Sequence, residues 1–178
     1  MEEKRIRVAQ VIGKCSEGGV ESAIMNFYRN IDHEKAIFDF FVENESLIIN
    51  KKEIESYGGH VYIVPKYSHI FSFQKCLFNY FIKNNYDVIH ANMNAQSFIA
   101  LAPAKKAKVK VRIAHSHTTS NKQEHLRHLI KQTLRIFSKT NATNYFACSD
   151  KAGIWLFVTK TYDKGDVTKI STLVAIFN

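Results

Sequence analysis

The stretch RIRVAQVIGKCSEGGVESAIMNFYRNI, residues 5 to 31, decides how the chain folds. Arg5 to Ile12 is a β-branched, apolar run of the kind that suits a parallel strand buried on both faces. Two adjacent glycines, Gly18 and Gly19, follow a few residues later. After them Val20, Ala23, Ile24, Phe27, Tyr28 and Ile31 recur at i, i+3, i+4, i+7, i+8 and i+11, one continuous face of a helix. A strand that runs through a glycine turn into a helix is the opening unit of an open α/β sheet.

The alternation continues along the chain. Asp39 to Val42 reads as a second strand. Asn50 with Glu53 forms a capping box for a short helix that Gly58 and Gly59 end. His60 to Val64 is a third strand, stopped by Pro65, and Ser72 is placed as the cap of an aromatic helix through Phe73, Leu77, Phe78, Phe81 and Ile82. Asp87 to His90 is a fourth strand, and a small-residue helix follows from Ala95 to Lys106. A fifth strand, Val109 to Ala114, runs out into His115-Ser116-His117. A basic helix from Gln123 to Lys139 then precedes a sixth strand, Tyr145 to Cys148, and Ser149-Asp150 caps a last helix around Trp155. This order predicts a Rossmann-like, doubly wound, mostly parallel sheet with helices on both faces. Ligands of such sheets bind at the carboxyl ends of the strands. Gly18, Gly19, His90, Asn92, His115, His117 and Ser149 would therefore share one rim.

Composition narrows the chemistry. The 178 residues are 46% hydrophobic, enough for one cored domain. Cys15, Cys76 and Cys148 lie far apart, and no secretory signal or bilayer-length apolar run is present, so a reducing cytoplasm is expected. The net charge of +9 favours anionic partners. The densest basic run, Lys105 to Arg112, straddles a helix end, where the macrodipole alone favours cations, and it is read as a solvated helix end before an anion-binding surface. No nucleic-acid motif accompanies the charge, and no nucleic-acid partner is expected.

The glycine loop fits neither familiar nucleotide motif. Gly13-x-x-x-x-Gly18 mimics the start of a P-loop, but Gly19-Val20 stand where the phosphate-gripping Lys and the magnesium-binding hydroxyl must be. The dinucleotide fingerprint is absent, and the second strand is read as ending without an acid to hold a ribose, which disfavours a dehydrogenase. What is left is a glycine pair whose amides can face an anion or a sugar hydroxyl, with Glu21 one turn on, or a turn that needs glycine for sterics alone. His115 and His117 alternate and can point to one side of the sheet. Without a third ligand at a suitable spacing, no metal is expected. A rim histidine can instead hydrogen-bond a substrate hydroxyl.

Four segments in order, "GGVES" after the first strand, "YDVIHANMN", "VRIAHSHTTS" and "YFACSDKAGIWLF", resemble the N-terminal domain of a family 4 retaining glycosyltransferase of the bacterial capsular and exopolysaccharide type. The resemblance spans residues 5 to 158. It implies one half of a GT-B architecture, in which an acceptor domain faces a donor domain across a cleft and a nucleotide sugar is the co-substrate, with no further cofactor. It assigns Gly18 and Gly19 to the donor phosphates and transferred sugar, His117 to that sugar near the reaction centre, and Ser149 to the cleft. His90, Asn92, His115 and Glu21 fall to the acceptor side. A glycan or a lipid-linked acceptor is implied, and the basic and aromatic surfaces fit peripheral contact with the inner face of the cell membrane.

Beyond Phe157 the pattern departs from the family. A strand and a Pro-Asn turn are expected there, and TKISTLVAIFN, residues 168 to 178, reads as having neither. The expectation is a glycosyltransferase domain over 1–158 and a divergent, truncated tail over 159–178, with Leu173 to Phe177 as an unpaired or edge strand. On that view the chain alone is weak or inactive and needs a separate donor-domain chain, or self-associates through its bare interface. A non-catalytic remnant or partner-binding module on the same fold is the alternative.

Overall fold

Seven parallel strands, hydrogen-bonded in the order β3-β2-β1-β4-β5-β6-β7, form a single sheet in the computed structural model. It describes residues 4–13, 19–43, 51–117, 134, 137, 139–157 and 165–170. The elements are β1 (Ile6–Gly13), α1 (Gly19–Asn30), β2 (Ala36–Val42), α2 (Lys51–Ser56), β3 (Val61–Ile63), α3 (Ile70–Asn84) and β4 (Val88–Ala91). A 3-10 turn, Asn94–Gln96, then leads into α4 (Ser97–Lys106), followed by β5 (Val111–Ser116), β6 (Asn144–Ala147), α5 (Asp150–Phe157) and β7 (Val167–Lys169). The expected Rossmann-like class is the observed one. The strand order reverses between β1 and β4, so the switch point lies where β1, β4 and β5 end.

Each crossover except the one from β3 to β4, which passes back across β2 and β1, returns the chain to a parallel neighbour, and the right-handed rule sends left-going and right-going connections to opposite faces. The two cores record this. Ile24, Met25 and Tyr28 of α1 and Ile54 of α2 pack with Phe40 and Val42. Phe73, Leu77 and Phe81 of α3, Leu101 of α4 and Phe157 of α5 pack with Phe41, Ile89 and Ala114 on the other side. Phe40 and Phe41 thus face opposite ways, as the period of two requires.

Four local expectations need correction. β2 begins at Ala36, since Ala36 to Phe38 pair with Ile6 to Val8. α3 begins at Ile70, with His69 at the N-cap making no side-chain cap bond, so Ser72 is an exposed residue inside the helix. An acid does close the second strand: Glu43 follows Val42, and its carboxylate accepts the Tyr67 N–H at 2.6 Å. The tail does carry a strand, β7, whose Val167, Thr168 and Lys169 pair with Tyr145, Phe146 and Ala147, and Ile170 N–H adds a bond to the Ala147 carbonyl at 2.9 Å. The β-branched Val167-Thr168 pair needs only three partners on an exposed edge, too short a run for a periodicity to register. Asn50, most of the basic helix 123–139 and Leu173 to Phe177 lie outside the described residues.

One glycine expectation gains a partner. Gly58, at φ +86°, ends the α2 turn as predicted. Gly59 beside it is constrained by space, because a Cβ there would strike the Phe38 carbonyl oxygen and come within 2.6 Å of the Tyr28 hydroxyl.

Candidate functional site

The carboxyl ends of β1, β4 and β5 bring together Gln10, His90, Asn92, His115 and His117. The pleat puts Gln10 and His90 side by side in register, and His115 opposite Phe146 of β6. The two rings of the HxH segment do point the same way, with centroids 3.8 Å apart, and His90 stacks on His115 at 5.0 Å. These groups and the flank of α1, with Ile24, Phe27 and Ile31, line a cavity of about 200 Å³.

Asn92 is the hub. Its Nδ2 donates to Gln10 Oε1 at 2.9 Å and to the His90 carbonyl at 3.3 Å, while its Oδ1 lies 2.9 Å from His117 Nε2. A carbonyl oxygen can only accept, so the atom facing the His90 carbonyl is the amide nitrogen, and the oxygen is left for His117. His117 therefore carries its proton on Nε2 and presents Nδ1 as an acceptor. Its backbone is held as firmly: its N–H donates to Asn94 Oδ1 at 2.7 Å and its carbonyl accepts the Cys148 thiol at 2.9 Å. Asn94 sits at φ +50°, a left-handed geometry that asparagine tolerates better than most residues.

The neighbouring pair is less satisfied. His90 Nε2 and His115 Nδ1 share one hydrogen bond of 2.9 Å, and His115 Nε2 is buried with no partner among the described residues. Burial holds all three imidazoles neutral. It lowers His117 to about 4; burial and then the nearby His117 ring lower His90 to about 3; burial, His117 and His90 lower His115 to about 2. At neutral pH the cluster is a set of uncharged donors and acceptors, matched to hydroxyl groups more than to phosphate.

The remaining predicted residues fall elsewhere on the rim. Gly19 is the exposed first residue of α1, and a Cβ added there meets nothing within 4 Å, so packing among the described residues does not require glycine at this position. Gly18 lies outside the described residues. The glycine whose conformation is forced is Gly13, at φ +73° against Met93. Glu21 is buried in the first turn of α1 and does not line the cavity. Ser149 is exposed, and its Oγ accepts the Ala152 N–H at 3.2 Å, which makes it the cap of α5.

Gln10 and Asn94 belong to this network and the sequence reading passed over both. Gln10 had a signal: it is a lone amide in the middle of an apolar strand, and at 3% exposure such a group must find a partner. Among the described residues no group of three or more His, Cys, Asp or Glu side chains is arranged to hold a metal ion, and no helix is long and apolar enough to cross a membrane.

No family model matches the chain. It is 35% identical over 166 residues to EpsF of Bacillus subtilis (strain 168), which is named as a candidate glycosyltransferase; the match takes in 88% of this chain and 42% of EpsF. The chain thus spans less than half the length of this relative. Among solved structures it is similar to HepE (Alr3699) from Anabaena in complex with UDP-glucose, with a TM-score of 0.68 at 13% identity, covering 94% of this chain and 44% of that one. It is also similar to the lipopolysaccharide outer core galactosyltransferase WaaB, with a TM-score of 0.60 at 12% identity, covering 93% and 45%. A candidate UDP-N-acetylglucosamine 2-epimerase from Listeria monocytogenes gives 0.61 at 11%, again over 93% and 45%. At these identities the structural likeness is one of fold. The chain is glycosyltransferase-like in sequence, and it has the Rossmann-like α/β fold found in GT-B glycosyltransferases.

Proposed function

We propose that this chain is the acceptor-binding half of a retaining glycosyltransferase, which moves a sugar from a nucleotide sugar to a glycan or lipid-linked acceptor in surface polysaccharide biosynthesis. The observation that carries this is the 35% identity to EpsF over 166 residues. The HepE complex with UDP-glucose supports a nucleotide sugar as donor, and the neutral imidazoles at the switch point support hydroxyl recognition. In the transfer, the bond from the anomeric carbon to the diphosphate breaks and one to an acceptor oxygen forms with the same configuration. The nucleoside diphosphate leaves, and the acceptor hydroxyl gives up its proton to the departing phosphate oxygen. His117 is the catalytic residue contributed by this chain, with Nδ1 accepting a hydrogen bond from a hydroxyl of the transferred sugar. Asn92 and Asn94 are positioning residues that fix its tautomer and its place. Gly19 leaves open space before the first amides of α1, where a phosphate or sugar can approach. His90 and His115 lie toward the acceptor, and the donor base is read by a second unit across the cleft.

The test is a chimera in which this chain replaces the matching part of EpsF, assayed for transfer from UDP-sugars to membrane acceptors. Transfer that falls at least about 100-fold with His117→Ala and with Gly19→Val supports the roles, the order of effect expected for lost positioning of a reacting group. A folded chimera that binds UDP but transfers no sugar would favour the non-catalytic, partner-binding alternative.

A further inference from the structure

Most polar groups at the switch point already have partners. Asn92 holds Gln10, the His90 carbonyl and His117, and His90 Nε2 is taken by His115 Nδ1. His115 Nε2 is different: it belongs to a residue only 6% exposed and has no partner among the described residues. A buried nitrogen of this kind calls for a hydrogen-bonding group that those residues do not bring. Its direction follows from the pleat. His115 is in register with Phe146, so both side chains leave the sheet on one face. Nε2 is one of the two ring atoms farthest from the backbone, so it projects from the strand toward the cavity that the ring lines.

The walls around that nitrogen are apolar. Ile24 and Phe27 of α1, Phe38 of β2, Phe146 of β6 and Ile170 beyond β7 present carbon to the cavity. Phe27 is 45% exposed, so the wall it forms reaches solvent. The volume, about 200 Å³, is below the roughly 300 Å³ at which pockets begin to enclose a drug-sized ligand, so a single ring or one substituent enters and a long chain does not. The occupant that fits carries one hydrogen-bonding function beside a methyl group. A plain hexose supplies the first alone, and its further hydroxyls would lie against Phe38 and Phe146 with nothing to bond. A hydrocarbon supplies the second alone and leaves the imidazole unpaired. Burial keeps the ring neutral, so a carboxylate or phosphate would enter without a counter-charge.

We propose that this cavity selects an N-acetylated amino sugar, with the acetamido group bonded to His115 Nε2 and its methyl packed against Ile24, Phe27 and Phe146. The acetamido group serves either tautomer that the bond to His90 leaves to His115, because its carbonyl accepts from an Nε2–H and its N–H donates to a bare Nε2. His115 and Phe27 are then the residues that set specificity, one through the hydrogen bond and the other through the apolar wall. The inference rests on the proposed function, which makes this sugar the acceptor.

NMR titration of the whole chain tests it with three probes, the methyl glycosides of N-acetylglucosamine, glucose and fucose. The N-acetyl glycoside should bind at least about tenfold more tightly than the glucoside, for the methyl and the hydrogen bond together. Saturation transfer should be strongest at the acetyl methyl, and the His115 imidazole nitrogens should shift. His115→Phe and Phe27→Ser should each weaken binding of the N-acetyl glycoside by about fivefold. Phe27 is at the surface, so its variant tests the cavity even where His115→Phe does not fold, and circular dichroism melts check both. Glucoside or fucoside binding as tight as the N-acetyl glycoside, no binding of the latter, or folded variants that keep the full preference would each overturn the proposal. Sugar transfer by the EpsF chimera alongside equal binding of the glucoside would overturn this inference and leave the proposed function standing. Preferential binding of the N-acetyl glycoside by a chimera that transfers nothing would support the cavity's selectivity and defeat that function.

Discussion

Acidification from pH 7 to pH 5 should strip the chain of several kcal/mol of stability, and the histidine cluster is the reason. His90, His115 and His117 are lowered to about 3, 2 and 4 in the folded state, against an ordinary value of 6.5. A base whose folded value is depressed leaves stability untouched above its unfolded value, and that stability is lost as the pH falls from there toward the folded value. At pH 7 an unfolded histidine is about a quarter protonated and at pH 5 almost wholly so, while the buried rings stay neutral throughout, which amounts to about 2 kcal/mol per ring. Three rings together give about 6 kcal/mol, comparable with the whole stability of many domains. Glu53, held low chiefly by its hydrogen bond from Arg29, loses its contribution only as the pH falls below its ordinary 4.5, so it lies outside this window. The assay is urea unfolding at constant ionic strength at pH 7, 6 and 5, followed by circular dichroism. His115→Phe should remove about a third of the pH dependence. A stability that is flat between pH 7 and pH 5, or a slope that His115→Phe leaves unchanged, would refute the neutral, buried cluster.

Other predictions concern single contacts. Gly59→Ala should cost about 3 kcal/mol in urea unfolding, because its Cβ would strike the backbone at Phe38, whereas Gly19→Ala should fall within about 0.5 kcal/mol of wild type. Asp39 is 1% exposed and accepts bonds from Arg7 Nη2 at 2.6 Å, the Tyr86 hydroxyl at 2.5 Å and the His60 N–H at 2.8 Å. Asp39→Ala should therefore lose about 3 kcal/mol, and a loss below about 1 kcal/mol would show that the partners rehydrate freely. Asn92→Leu removes the acceptor that holds the His117 proton on Nε2. Nitrogen-15 spectra of the imidazoles should then show His117 moving from one tautomer to a mixture, and an unchanged spectrum would mean that another group sets the tautomer.

The fold was legible because parallel strands buried on both faces appear as apolar runs, and Arg5 to Ile12 is one of them. The rim was legible for a topological reason: once β4 and β5 are placed, His90, Asn92, His115 and His117 fall at their carboxyl ends with no knowledge of any contact. What escaped has a common cause, since it depends on distant partners. Asp39 looks like a stray charge in an aromatic strand until Arg7, Tyr86 and His60 arrive from three other segments. Gln10 needs Asn92, which is 82 residues away. The cap that Ser149 forms on the last helix was legible because it is local, whereas Ser72 is a good capping residue that the helix start at Ile70 bypasses.

The Gln10–Asn92–His117 bonds cross three strands at right angles to the chain. They tie the end of β1, which leads into the glycine turn, to the end of β5 by way of one amide. His117 and Gln10 thus share one partner, so the two sides of the switch point are joined through a single side-chain amide, and replacing Asn92 would cut both bonds at once.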